Sequence, residues 1–237
     1  MKEINLVKSS WTKEDGQEFQ KYLLSLGRGE AKGKWEKNIV RTNLPCIAVL
    51  SSDIKRISNE IAMGNFLSFL DLGLNETLSN SLLSAHLISK IKDFETFKSY
   101  LTKFVENADN WASIDSLEFK VKGKGKEFLT LSKTYISSQK PFVRRAGVRI
   151  LFKFVDSKNI DNVFDLIVPL QAEQDYYVNM AVAWLVCECF IKQRQKTIEF
   201  LGKDKLNKFA LNKAISKCHD SFRVTKDDKE MLKTLRK

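Results

Sequence analysis

Glycine and proline, which punctuate turn-rich sheet proteins, are scarce in this chain. It has 10 Gly and 3 Pro among 237 residues, whereas average usage of roughly 7% and 5% would give about 28 together. Folds that are built from many short strands need more turn residues than this. The composition therefore favours an all-α protein.

Histidine and the common catalytic motifs are also lacking. The chain has two histidines, His86 and His219, and no P-loop, G-x-G-x-x-G, H-E-x-x-H, G-x-S-x-G or zinc-deaminase pattern, which disfavours a His-activated nucleophile.

The chain has four cysteines, Cys46, Cys187, Cys189 and Cys218. Because they form no C-x-x-C pair, we expect reduced, mostly buried thiols rather than disulfides or a metal site. We expect no metal.

Long apolar runs are absent as well. No window reaches about 18 consecutive apolar residues, and the N-terminal stretch MKEINLVKSSWTKEDGQEF lacks the apolar core and cleavage site of a signal peptide. We therefore expect a cytoplasmic protein without a membrane span.

A chain of 237 residues suits one substantial core or a run of stacked helical units. We expect a single domain over residues 1–237 and a monomer.

Positive charge is in clear excess. Forty Lys and Arg residues oppose 29 Asp and Glu residues, which gives a formal net charge of +11. Such a balance most simply matches a polyanion such as nucleic acid, although the charge could also serve solubility alone. The basic residues are spread along the chain rather than gathered in a tail.

Apolar residues recur with the helical period from Thr12 onward. The pattern predicts helices over residues 12–27, 52–63, 66–73, 79–91, 93–106, 109–119, 125–138, 141–155, 159–170, 174–191, 193–202, 206–220 and 225–236. Segments 79–106, 125–155 and 159–202 each resemble a helical hairpin of the HEAT or armadillo scale. The pattern alone leaves open a bundle and an α-solenoid of HEAT-like repeats, whose concave face, basic in a chain with this charge, would suit a rod such as duplex DNA.

Polar residues mark the starts of several of these helices. Thr12, Ser79 and Asn159 each precede an apolar-periodic run, and Thr225 is followed three residues later by an acidic residue. Such residues accept hydrogen bonds from the first free amides of a helix. We therefore predict helix starts at these four positions.

The stretch DNWASID places an aromatic and an acidic residue one helical turn apart. Trp111 and Asp115 are an i, i+4 pair and would share one helix face. An interior aspartate is a poor helix former, and a buried carboxylate without a partner is costly. Asp115 is therefore solvated, paired with a basic residue, or retained for a site.

Two further segments combine basic and aromatic residues. In KPFVRRAGVRILFKFV, Arg145 and Arg149 lie one turn apart, off the apolar face; they are surface residues unless that face meets a nucleic acid, where a guanidinium suits a phosphate. The segment DYYVNMAVAWLVCECFIK is apolar nearly all round, so the pattern taken alone predicts that Trp184 is a core residue.

A lysine-rich segment, KVKGKGKEF, precedes the helix predicted over residues 125–138. It brings Lys122 and Lys124 close to the start of that helix, with Gly123 between them. Lysines and backbone amides at a helix start can bind phosphate, but a solvated flexible loop fits equally well.

Taken in order, DNWASID, FVRRAG and YYVNMAVAWLVCECF resemble the bacterial DNA alkylation repair family, the AlkD-like HEAT-repeat DNA glycosylases. The C-terminal stretch LNKFALNKAISKCHDSFRVTKDDKEMLKTLRK is similar too, and the resemblance runs from about residue 40 onward. One departure lies before the helix that begins near Asp53: relatives typically show a Gly- and Pro-containing segment there, whereas this chain reads TNLPCIAVLSSDIKRI.

The resemblance implies an all-helical solenoid that holds duplex DNA containing alkylated purines and hydrolyses the N-glycosidic bond of N3- and N7-alkylpurines without a metal or cofactor. It implies that Asp115 is the catalytic aspartate and that Trp111 and Trp184 are the cleft tryptophans. The phosphate-contacting arginine matches Arg145, with Arg144 as its immediate neighbour. We add Arg149, Lys122 and Lys124 as candidate phosphate contacts.

Two other functions remain open at this point. A HEAT-like protein that binds damaged or unusual DNA without catalysis would carry the same charge and would lose nothing when Asp115 becomes Asn. A protein-binding α-solenoid scaffold would bind DNA only incidentally, without lesion preference and with a collapse at modest salt.

Overall fold

The computed structural model describes residues 4–237, and every regular element in this range is a helix. The chain falls into two compact units, the first ending at Lys120 and the second beginning at Val121. The all-α class is thus confirmed. In residues 4–237 no helix combines the length and apolar character that crossing a membrane requires. The single domain over residues 1–237 stays a prediction.

Seven helices make up the first unit. They are α1 (Lys13–Ser25), α2 (Glu30–Val40), α3 (Ser51–Ile61), α4 (Phe66–Asp71), α5 (Leu78–Ile88), α6 (Phe94–Asn107) and α7 (Trp111–Asp115). Helix α5 is central, because α3, α4, α6 and α7 all pack against it. A core that includes Phe19, Leu23 and Ile57, none of them exposed to solvent, joins α1, α3 and α4 to α5.

The second unit is built in two layers. Its helices are α8 (Gly125–Ile136), α9 (Pro141–Leu151), α10 (Ile160–Ile167), α11 (Tyr176–Lys192), α12 (Arg194–Leu201), α13 (Lys208–Asp220) and α14 (Lys226–Lys233). Helices α9, α11 and α13 pack successively in one layer, and α8, α10 and α12 do so in the other. Helical hairpins stacked in this way are the arrangement of a HEAT-like solenoid, as predicted.

The two layers approach closely at a glycine. The hydroxyl of Ser132 on α8 donates to the carbonyl of Gly147 on α9 at 2.8 Å. A Cβ atom at Gly147 would lie 2.9 Å from the Ile136 side chain and 3.0 Å from the Ser132 carbonyl. Glycine therefore permits the contact between α8 and α9, the helix that carries the candidate arginines.

Helix α2 was not predicted from the sequence. It follows Gly29, whose φ of +84° suits glycine, and it buries only Gly33 and Val40. A helix with so small an apolar face has no readable stripe of hydrophobic residues, and for this reason the periodicity missed it.

The predicted helix starts were partly right. The side chains of Thr12 and Thr225 cap α1 and α14 as expected. The start at Ser79 was wrong, because Thr77 is the N-cap of α5 and forms a capping box with Asn80. Asn159 does precede α10, but its side chain makes no capping bond and donates instead to Asp156.

The thiols agree with the sequence-based expectation. Cys187, Cys189 and Cys218 are free and buried, and Cys46 is free and partly exposed. The side chain of Cys187 on α11 is hydrogen-bonded to that of Cys218 on α13, so this pair belongs to the packing between two adjacent helices.

Candidate functional site

Helix α7 carries Trp111 and Asp115 at its two ends. It is five residues long, shorter than the helix predicted over residues 109–119, and its two end side chains are both partly exposed. Ser113 and Ile114 between them are fully buried. Since residues four apart share one face of a helix, the indole and the carboxylate project from the same face of α7.

A helix this short is not stable by itself, and Asn110 holds its start. The Asn110 side chain accepts a hydrogen bond from the amide of Ser113 at 2.8 Å. Its amide group donates to a carboxylate oxygen of Asp109, also at 2.8 Å. Asn110 is 1% exposed, so this cap lies inside the protein and away from competing water.

Asp109 connects this cap to the segment in which the chain departs from its relatives. Its carboxylate accepts from the hydroxyl of Thr42 at 2.7 Å and from the amide of Asn43 at 2.7 Å. Partial burial would raise the pKa of Asp109, but the bonds from Asn110, Thr42 and Asn43 outweigh it and lower the pKa. Asp109 therefore stays ionised and supports α7.

The middle of α7 and the chain beyond it are attached to α5. The hydroxyls of Ser113 and Ser81 are hydrogen-bonded at 2.7 Å. After the helix, the amide of Glu118 donates to the hydroxyl of Ser89 at 2.8 Å. Helix α7 is thus fixed along its length, so Trp111 and Asp115 project from a rigid support.

In the second unit, Arg144 is held by its neighbours. It donates to the Glu173 carboxylate at 2.6 and 3.0 Å and to the carbonyls of Ser138 and Gln139, both at 2.9 Å. Partial burial would raise the pKa of Glu173, but the bonds from Arg144 and from nearby amides outweigh it and lower the pKa. Arg144 therefore joins α9 to the loop before α11.

Arg145 is buried and bonds to helix α11 itself. It is 5% exposed, and its Nη1 donates to the carbonyl of Tyr177 in the first turn of α11. The expectation that an arginine in this segment is a solvated surface residue is therefore wrong for Arg145. The helix period places it off the main apolar stripe, but α11 covers that side of α9.

Arg149 and Trp184 lie together. The Arg149 guanidinium carbon is 4.7 Å from the ring centroids of both Trp184 and Phe152. The two rings also meet edge to face, with centroids 4.8 Å apart. Trp184 is partly exposed rather than fully buried in the core, and it is held by an aromatic and a cationic neighbour.

Lys122 and Lys124 lie at the entrance to α8. Lys122 is exposed, and Lys124, which is partly exposed, occupies the N-cap position of α8. Gly123 between them has a φ of +75°, which a glycine adopts without strain. The predicted lysine-rich turn before a helix is therefore present.

A comparison with known families gives this arrangement its context. The family model described as "DNA alkylation repair enzyme" matches residues 21–218. The chain belongs to this family of AlkD-like DNA alkylation repair enzymes. No individual curated protein is similar enough to match the chain. Family membership confirms the resemblance seen in the sequence, and it assigns the protein a role in the repair of alkylated DNA.

All eight residues that were singled out from the sequence lie within the part of the chain that matches the DNA alkylation repair family. The structure brings Trp111 and Asp115 together on α7, and Arg149 and Trp184 together by stacking. It separates the neighbours Arg144 and Arg145, which have different partners.

Sequence reasoning missed the residues that support α7. Asp109 and Asn110 were readable as a polar pair three residues before Ser113, which is the spacing of a helix N-cap. Thr42 and Ser81 carry no such signal, because they reach α7 only through the fold.

Proposed function

We propose that this protein is a DNA glycosylase that excises positively charged N3- and N7-alkylated purines from duplex DNA by hydrolysing the N-glycosidic bond. One observation carries the proposal: Trp111 and Asp115 share one face of a short helix that is fixed at its start, middle and end. The chain's membership of the DNA alkylation repair family supports it.

The chemistry requires little from the protein besides a carboxylate. An alkylated purine already carries positive charge and leaves without a general acid, so the remaining need is to stabilise a sugar that resembles an oxocarbenium ion. The Asp115 carboxylate can do this electrostatically and can orient the attacking water. No metal or cofactor enters the proposed reaction.

The two tryptophans would recognise the cation. An indole face attracts a positive charge that lies over it, and Trp111 and Trp184 each expose part of the ring. Phe152 and Arg149 hold the Trp184 ring in one orientation. The resemblance to the family implies recognition without deep extrusion of the base, unlike the base-flipping glycosylases.

We propose Arg145 for the phosphate contact because the resemblance to the family implies it; Arg145 is itself buried and donates to the Tyr177 carbonyl. Arg144 makes four hydrogen bonds to Glu173 and to two backbone carbonyls, which commits its guanidinium to the protein. Arg145 matches the family's phosphate-contacting position. Lys122, Lys124 and Arg149 remain proposed secondary contacts, and duplex DNA is the proposed partner.

The deciding experiment measures release of methylated purines from alkylated duplex DNA. We expect the wild-type protein to release them and Asp115→Asn to be slower by roughly 100-fold, the scale of losing one electrostatic group at a reacting centre. Asp161→Asn is the matched control, because Asp161 is an exposed carboxylate of α10 that pairs with Lys196.

Two outcomes would contradict the proposal, the first by excluding the role of Asp115 and the second by excluding the glycosylase activity. Equal release by wild type and Asp115→Asn would remove Asp115 from the reaction. Tight DNA binding by a wild-type protein that releases no base would favour the HEAT-like protein that binds damaged DNA without catalysis.

A further inference from the structure

Four basic side chains of the first unit lie near one another at the end of α5; three of them lie outside every motif considered above, and Lys120 is the first residue of the segment KVKGKGKEF. The four are Lys55 on α3, His86 in the last turn of α5, Lys90 just beyond α5, and Lys120 just beyond α7.

Hydrogen bonds bring these elements together. Lys90 donates to the side chain of Asn59 at 2.7 Å, and Asn59 lies one turn after Lys55 on α3. His86 and Lys90 are likewise four residues apart. The bond from the Glu118 amide to Ser89 at 2.8 Å draws the chain that leads to Lys120 against the end of α5.

The charges in this cluster act on one another. The pKa of His86 is lowered by burial and by the positive charges of Lys90 and Lys55, with only Glu118 opposing them. The pKa of Lys90 is lowered by burial, by Lys120 and by Lys55, and again Glu118 opposes the change. His86 and Lys90 therefore lie among positive charges that come from α3 and from the segment after α7, and Glu118 opposes those charges at both groups.

We propose that Lys55, His86, Lys90 and Lys120 form a phosphate-binding cluster for the DNA backbone, in which His86 takes up a proton as the phosphate binds. A phosphodiester supplies the negative charge that the cluster lacks and relieves the repulsion among the lysines. The same charge favours the imidazolium form of His86, so proton uptake accompanies binding.

The location connects this cluster to the proposed reaction. Helix α7 packs against α5, so DNA that reaches Trp111 and Asp115 passes close to the end of α5. The inference rests on the proposed function for the identity of the ligand. It adds a contact that positions the duplex, since backbone contacts set register without reading the bases.

The first test follows the two histidines by NMR. His86 and His219 are the only histidines of the chain, so each imidazole titration can be assigned with His86→Gln and His219→Gln variants. We expect the pKa of His86 to rise when an undamaged 20-base-pair duplex binds. An unchanged His86 pKa in the DNA complex would overturn the proton uptake.

The second test measures duplex affinity against salt and pH. Lys90→Gln should weaken binding about fivefold, as expected for losing about 1 kcal/mol of charge interaction, and should reduce the slope of log K against log salt by about 0.9. Lys90→Arg keeps the charge and should bind like wild type. Lys98→Gln, which removes an exposed lysine paired with Glu95, controls for net charge.

Proton uptake also sets the direction of the pH effect. Affinity should fall as the pH rises from the lowered pKa of His86 in the free protein through its higher pKa in the complex. The variant His86→Gln should lose this dependence and His219→Gln should keep it. Equal loss of affinity in Lys90→Gln and Lys98→Gln would show a general charge effect and overturn the cluster.

These results separate the two proposals. Absence of base release by the wild-type protein, with the Lys90 and His86 effects on binding present, would contradict the glycosylase and leave the DNA contact standing. Asp115-dependent release, with no Lys90 or His86 effect on binding, would keep the glycosylase and remove the cluster.

Discussion

Arg149 can serve DNA by its charge or by its shape, and a single substitution distinguishes the two roles. Its guanidinium stacks on Trp184 and Phe152, whereas a phosphate contact needs only a positive charge. We expect Arg149→Lys to slow base release about tenfold, because an ammonium cannot hold the indole as a planar guanidinium does. Affinity for undamaged duplex should change much less.

The measurement compares single-turnover release with equilibrium binding of the same variant. Release at the wild-type rate by Arg149→Lys would contradict the positioning of Trp184 and would favour a simple phosphate contact. Phe152→Leu provides a second variant, since it removes the edge-to-face ring contact with Trp184 and leaves the charge of Arg149.

The pair formed by Arg144 and Glu173 should act on stability rather than on DNA affinity. The two side chains are 16% and 5% exposed, and removing one partner of a buried pair typically costs about 3 kcal/mol. We expect Arg144→Met to lower the free energy of unfolding at pH 7 by about this amount, measured by urea denaturation. Undamaged-duplex affinity should be nearly unchanged.

The pH dependence of this stabilisation has a defined sign. Because Arg144 holds the pKa of Glu173 below its usual value, the pair stabilises the fold fully above the unfolded-state pKa of about 4.3. That contribution is lost as the pH falls through the lower, folded-state pKa. The difference between wild type and Arg144→Met should therefore shrink in strong acid, and a difference that stayed constant would contradict the assignment.

Under the proposed function, α7 is the helix whose stability should affect activity most, because it carries Trp111 and Asp115. Asn110 caps it, and the loss of such a cap costs about 1 kcal/mol. We expect Asn110→Ala to cut base release at least tenfold, because Trp111 and Asp115 lose the support that aligns them, while thermal stability falls only modestly. Activity assays and thermal denaturation on the same samples would test this.

Thr225→Ala is the matched control for this substitution. It removes the N-cap of α14, with a similar cost in stability, from a helix that carries none of the proposed site residues. Equal losses of activity in both variants would mean that destabilisation alone explains the result. The proposed role of Asn110 in aligning Trp111 and Asp115 would then be wrong.

The sequence predicts elements well where local physics alone determines them. Helices α1 and α14 begin at Thr12 and Thr225 as expected, because a capping hydroxyl acts within three residues. Helix α2 escaped prediction because it has almost no buried face. The length of α7 was overestimated because the apolar residues beyond Asp115, such as Leu117 and Phe119, are buried without being helical.

The candidate site likewise has one part that the sequence predicts and another that depends on the fold. The spacing of Trp111 and Asp115 on one face could be read directly, since it depends on helix geometry alone. The supporting bonds from Thr42 and Ser81 could not, because they join residues 67 and 32 positions apart. The different roles of Arg144 and Arg145 also depend on α11 and its preceding loop, which the local sequence does not specify.

At the scale of the whole molecule, the net charge is +11, but its basic residues differ in their surroundings. Some are paired with carboxylates, and others lie close to further basic groups. Several exposed lysines are neutralised by carboxylates close in sequence, as Lys34 is by Glu30 and Lys233 by Glu230. Others lie close to further positive charge, as Lys90 does to Lys55 and Lys120. The clustered lysines, rather than the total charge, should therefore determine how DNA is bound.

This difference predicts a specific salt dependence for duplex binding. If the four clustered groups contact about four phosphates, log K should fall linearly with log salt with a slope of about −3.6. Substituting clustered lysines should reduce that slope stepwise, whereas substituting paired lysines such as Lys34 should leave it unchanged. Filter binding or fluorescence anisotropy between 50 and 300 mM salt would measure it. Equal slopes for all the variants would mean that DNA responds only to the overall charge, which is the behaviour expected of a scaffold that binds DNA incidentally.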